Sequence, residues 1–218
     1  MKKITILFIC FIAFAATTKA QYVNIPDSNF RSFLILKYPT CFNAAKQMDT
    51  TCTSIVNDTT LNCSFKLITS LDGIQYFKSL KYLNCDANKL TSLPLLPNSL
   101  TTLHSSYNQL KSLSTLPKFL KNLYCNSNEL INLPSLSDSI TFLDCNTNKL
   151  INLPSLPISI SFLECSFNQI AILPSLPNSI KYLGCSRNNL INLPDLPNSI
   201  LTLVCPYNQI ANLIYLTH

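Results

Sequence analysis

The sequence predicts a solenoid, a stack of near-identical coils whose concave wall is a parallel β-sheet and whose convex wall runs extended. Three observations predict it. From Leu80 onward the chain repeats with a period of twenty residues. Within each period an asparagine recurs without a miss, with leucine at a fixed place ahead of it and cysteine at another, Ser105 being the one exception. Prolines recur in the second half of the period, where they remove backbone donors and bar a helix.

The chain of 218 residues begins with Lys2 and Lys3, an apolar run from Ile4 to Ala16, and the small-residue stretch Thr18-Lys19-Ala20. That order is the pattern of a secretory signal peptide over 1–20, with Gln21 first in the mature chain. The run is too short for a comfortable membrane span, and no later stretch approaches one. Phe8 and Ile9 ahead of Cys10 are too bulky for a lipoprotein signal.

Residues 21–58 read as an N-terminal cap. Asp27 or Ser28 is placed to cap a helix whose Phe30, Phe33, Leu34 and Leu36 form an apolar face, and Pro39 ends it. Its task is to cover the open core of the first coil. Cys41 and Cys52 lie in the cap and outside the repeat; in an exported chain they are a possible disulfide, provided the fold brings them within about 7 Å.

Residues 59–218 carry the repeats. The first unit, Leu61 to Ser79, is longer: Leu61, Cys63, Ile68 and Leu71 match Leu83, Cys85, Leu90 and Leu93 at a spacing of twenty-two, with Lys66 where the asparagine belongs. Twenty-residue units follow, of the form L-x-x-L-x-C-x-x-N-x-L-x-x-L-P-x-L-P-x-S. The last is incomplete and ends after Leu213 and Leu216 at His218 without a polar cap, as in a fragment or a divergent family member. In L-x-C both side chains point inward from a short strand while their neighbours face solvent. Asn88, Asn108, Asn128, Asn148, Asn168, Asn188 and Asn208 form a structural ladder, their amides bonding backbone groups of their own turn and the next.

These motifs resemble the short, twenty-residue class of bacterial leucine-rich repeats, found in secreted effectors of Gram-negative pathogens and in secreted proteins of Bacteroidetes-like bacteria. Ile68 to Leu83, ITSLDGIQYFKSLKYL, is similar to internalin-type repeats. The resemblance covers Leu61 to the end. It implies a leucine-rich-repeat solenoid of about eight strands and export from a bacterial cytoplasm. Some effectors add a ubiquitin-ligase domain, which needs a large segment after the repeats, so that activity is not carried over.

Chemistry is sparse. Of two histidines, His218 is the last residue, and His104 has Asn84 and Tyr124 as column neighbours rather than an acid and a nucleophile. The cysteines of the repeat project in parallel into an apolar core, where they serve as small hydrophobes rather than as zinc ligands. No catalytic residue, metal or cofactor is expected. Three of the sixteen basic residues precede Gln21, leaving thirteen against ten acids and no basic stripe, which excludes nucleic acid as a partner. What remains is binding through the outward columns of the concave sheet. Tyr124, Phe142, Phe162, Phe167 and Tyr182 gather there beside Asp144 and Glu164. Such a patch is either an interface hot spot or a set of cross-strand pairs that steadies the sheet. The expected partner is a protein, on a host or cell surface. A carbohydrate or cell-wall ligand is the alternative, as is a repeat-only relative of an effector that lacks its catalytic domain.

Overall fold

The computed structural model describes residues 21–211; the signal-peptide reading and the last residues of the incomplete final unit lie outside them. The cap comes first. Strand β1 (Tyr22–Val23) pairs antiparallel with β2 (Met48–Asp49), and helix α1 (Ser28–Lys37) lies between them in sequence. Asp27 caps α1, its carboxylate accepting the Phe30 amide at 2.7 Å. The helix ends at Tyr38, ahead of a short 3-10 turn, Pro39–Cys41. Phe30 and Leu34 are fully buried and Phe33 is partly so, but Leu36 is 85% exposed. The expected four-residue apolar face is therefore narrower: a ten-residue helix lying on one surface covers only the stripe that Phe30 and Leu34 define.

Cys41 and Cys52 are joined by a disulfide, with Cα atoms 5.5 Å apart and eleven residues of separation. The loop they close carries β2 and leads into α2 (Thr53–Val56). Replacing both with alanine is expected to lower the stability of the chain by about 2–3 kcal/mol, since the short loop regains its freedom in the unfolded chain. Urea titration with and without dithiothreitol checks this: wild type should lose its midpoint advantage under reductant and the variant should not respond. An unshifted midpoint would mean that neighbouring contacts already hold the loop.

The main sheet has eight parallel strands: β3 (Thr60–Asn62), β4 (Tyr82–Asn84), β5 (Thr102–His104), β6 (Asn122–Tyr124), β7 (Phe142–Asp144), β8 (Phe162–Glu164), β9 (Tyr182–Gly184) and β10 (Thr202–Val204). They stand in sequence order and in repeat register, Leu61 opposite Leu83, Leu83 opposite Leu103, and so on to Leu203. That register follows from the two-residue alternation, because a slip of one would turn every central leucine to solvent. The first coil is closed by a 3-10 turn at Ile74–Tyr76, entered through Gly73, whose φ of 112° and close approach to Ile25 leave no room for a side chain.

The proline-bearing segments contain no helix and no strand among the described residues. Each ends in a turn in which the Leu100 amide donates to the Pro97 carbonyl, repeated at Leu120–Pro117, Ile140–Ser137, Ile160–Pro157, Ile180–Pro177 and Ile200–Pro197. The serine of the motif has its own task there. Ser99, Ser159, Ser179 and Ser199 donate to the carbonyls of Leu80, Ile140, Ile160 and Ile180 on the preceding coil, at 2.6–2.8 Å. One core of leucine, isoleucine and cysteine runs from the cap through the stack.

Candidate binding face

The asparagine ladder fixes the height and tilt of every coil. Asn168 is typical: its amide donates to the carbonyls of Cys165 and Ser166 on its own turn and of Cys145 on the preceding coil, at 3.0–3.2 Å, and accepts the Leu150 amide at 2.9 Å. The same set, or nearly so, recurs from Asn88 to Asn208. The bonds reach the preceding coil, not the following one as expected. The reason is where the free groups lie: in the coil behind, the amide two residues past the asparagine, such as that of Leu150, has no other acceptor, and the cysteine carbonyl takes a second bond beside the one from its own asparagine. Ahead of each asparagine stands a residue with φ between 51° and 59°: Ala87, Tyr107, Ser127, Thr147, Phe167, Arg187 and Tyr207. Nothing in these residue types announces the left-handed conformation, which side chains ordinarily avoid; the turn into the ladder imposes it.

Beneath the strands, Cys63, Cys85, Cys125, Cys145, Cys165 and Cys185 are buried and unbridged, and Cys205 is partly buried. Burial pushes the Cys63 and Cys185 thiols up to about 12 and the Cys85, Cys145 and Cys165 thiols well above the ordinary range, so they stay protonated and inert. The thiols of Cys63 and Cys85 donate to the carbonyls of Asn84 and His104 on the next strand, and at the odd position Ser105 donates its hydroxyl to Tyr124 in the same way.

On the solvent side the rings form one continuous stack. It runs Tyr82, His104, Tyr124, Phe142, Phe162, Tyr182, with centroids 4.0–5.4 Å apart. The stack starts at Tyr82 in the column formed by the first residue of each strand, crosses at His104 and Tyr124 to the column formed by the last residue of each strand, and returns to the first column at Phe142. Phe142 and Phe162 lie 4.2 Å apart and 5° from parallel, and Phe162 meets Tyr182 at 4.3 Å and 6°. Phe162 is thus covered on both faces, by Phe142 and Tyr182, and leaves an edge to water, while Tyr82 meets His104 and Tyr124 meets Phe142 at a tilt, 49° and 33°. Phe167 does not join them. It lies just past the strand and is 52% exposed, and Arg187 lies over it and over Tyr207, 5.0 and 4.4 Å from the two ring centroids.

His104 does meet an acid, contrary to the column reading: its Nδ1 is 3.6 Å from Asp86 Oδ2. The acid comes from beyond the preceding strand, a diagonal neighbour that column counting passes over. Asp144 and Glu164 face each other on adjacent strands, both half-buried. Each has a local duty: Asp144 accepts the amide N–H and side-chain amide of Asn146, and Glu164 accepts the Ser166 amide and the Tyr182 hydroxyl, both at 2.9 Å. Glu164 lies across Gly184, where a side chain would collide with its carboxylate. Burial, and then the neighbouring Glu164, hold the Asp144 carboxyl above the usual carboxylate range. Burial, then Glu164, push the Tyr182 hydroxyl up to about 12. Among the described residues neither acid is in an ion pair, and no three His, Cys, Asp or Glu side chains converge as metal ligands would. No helix among them is long and apolar enough to cross a membrane.

No protein-family profile and no curated protein matches the chain. Solved structures do. The chain is 39% identical to YopM from Yersinia enterocolitica WA-314, with a TM-score of 0.67 over 69% of this chain and 33% of that one. A Shigella effector leucine-rich-repeat domain is 31% identical, with a TM-score of 0.63 over 72% of each chain. The functional domain of InlJ from Listeria monocytogenes, which includes a cysteine ladder, is 26% identical, with a TM-score of 0.65 over 90% of this chain and 50% of that one. The chain therefore spans about a third of YopM and half of the InlJ domain.

Proposed function

The chain belongs to the bacterial leucine-rich-repeat proteins of the short-repeat class, and from that premise we propose that it is an exported protein that holds a protein partner on the solvent face of its sheet. The carrying observation is the ring stack beside Asp144 and Glu164. It is a rigid, half-buried, mixed apolar and acidic surface, the kind of centre around which protein interfaces concentrate their energy. A carbohydrate ligand would lie flat on an open ring face, and in the stack the faces of Phe142 and Phe162 are closed by their neighbours. The geometry therefore favours a protein. Export is supported by the basic, apolar and small-residue order of 1–20 and by the bonded cysteines of the cap, which suit an oxidising compartment.

The test is chemical crosslinking of the purified chain to host-surface and bacterial-surface protein fractions, with a glycan array in parallel. Wild type is expected to capture a protein and the F142S/F162S variant to capture at least tenfold less, with folding checked by circular dichroism. Equal capture by both folded proteins, or binding confined to the glycan array, would remove this reading.

A further inference from the structure

The partner's chemistry can be narrowed further, on the premise that this sheet face is a binding surface. From Tyr82 to Val204 no lysine or arginine occupies an outward strand position, although the chain carries a net charge of +6. At the middle of that face Asp144 and Glu164 stand side by side in register, without a cation, and one oxygen of Asp144 has no hydrogen-bond partner among the described residues. Two adjacent, half-desolvated carboxylates repel one another, and an incoming cation relieves both at once. Beside them the ring edges of Phe142, Phe162 and Tyr182 form an apolar strip ending at the Tyr182 hydroxyl, which already donates to Glu164. A closed ring face leaves little room for a cation above it, but a ring edge suits an aliphatic stem. Lysine and arginine have that form, a methylene stem with a charged head.

We propose that this face receives a lysine or arginine side chain from an extended basic segment of the protein partner, its stem along the ring edges and its head between Asp144 and Glu164. The carboxylates then act in recognition as well as in their local turns. The two duties separate, because asparagine and glutamine keep an oxygen for the Asn146 and Ser166 amides and lose the charge, while at position 164 an NH2 meets the Tyr182 hydroxyl, which then accepts instead of donating.

The test uses the full chain and a positional-scanning library of N-acetylated, C-amidated dodecapeptides on a surface. Wild type is expected to enrich lysine or arginine at least tenfold at one position, and D144N/E164Q to lose that preference. Enrichment without a basic position, or the same preference in D144N/E164Q, overturns this inference and leaves the binding face standing. A wild type that enriches nothing beyond F142S/F162S overturns both. Should D144N/E164Q fail to fold, the best basic peptide is remade with norleucine at the selected position. A tenfold loss of binding to wild type supports the inference, and unchanged binding overturns it.

Discussion

Asn168→Asp is expected to destabilise the chain by about 4–5 kcal/mol, although it changes one NH2 group to one oxygen. The amide of Asn168 donates to three carbonyls, at Cys145, Cys165 and Ser166, and the residue is buried. A carboxylate there replaces two N–H donors, shared among three carbonyls, by an oxygen facing those acceptors. Each of these carbonyls keeps one other donor, from Asn148, Asn188 or the Thr147 amide, so the cost is the lost bonds, about 1 kcal/mol apiece, and a buried carboxylate left facing acceptors, about 3 kcal/mol. Asn189, one residue beyond the next ladder position, is exposed and makes one long bond to the Gln169 carbonyl at 3.4 Å. Its change to aspartate should lie within about 0.5 kcal/mol of wild type. The Asn168→Asp penalty should shrink as pH falls, because the protonated acid recovers one donor. Urea midpoints for the two variants decide the matter, and a loss below about 1 kcal/mol at Asn168 would mean that the ladder is ornament.

The second large effect lies at the junction of cap and stack. Asp27 accepts the Phe30 amide at 2.7 Å with one oxygen, and with the other the Thr69 amide and hydroxyl at 2.8 and 2.6 Å. It therefore ties the start of α1 to the first coil. Asp27→Ala should cost about 3 kcal/mol, from a lost cap and an unpaired Thr69 amide. The readout is the Cys63 thiol, fully buried in the first coil: it should react with a thiol reagent in the variant well before the thiols of the central coils. Unchanged Cys63 reactivity would show that the cap is held by its apolar contacts alone. Acid should act on the same junction. Burial raises the Asp27 carboxyl, but bonds from Thr69, Phe30 and Ser70 outweigh it and hold it below the usual range. Likewise burial is outweighed at Asp58 by bonds from Lys37, Tyr38 and Thr60. Groups depressed in this way stabilise the fold above their unfolded value of about 4, and that contribution is lost as pH falls through their folded values. The cap should therefore loosen first in strong acid, and Asp27→Ala should flatten part of that dependence.

The stack was legible in the sequence because twenty-residue periodicity fixes what each position faces. Strand register, buried cysteines and the ladder asparagines all follow from inward and outward alternation. What escaped lies along diagonals or in backbone angles. The crossing of the ring stack at His104, the Asp86 contact and the bond from Thr69 to Asp27 join residues of different columns or of cap and coil. No count along the chain brings such pairs together. The left-handed residues before each asparagine escaped because Tyr107, Thr147 and Phe167 are side chains that rarely take that conformation. The serine hydroxyls were visible as a repeated letter, but their carbonyl partners needed the height of the neighbouring coil.

Each asparagine reaches backward, completing the bonding of the coil already laid down and leaving its own coil to be finished by its successor. On a ribosome, where the amino end appears first, this gives the fold a direction in time. The newest coil is always provisional, and the cap too waits for the first coil, whose Thr69 completes the bonds of Asp27. Order should advance along the nascent chain one turn behind the growing end, like a zip whose slider trails the last tooth made.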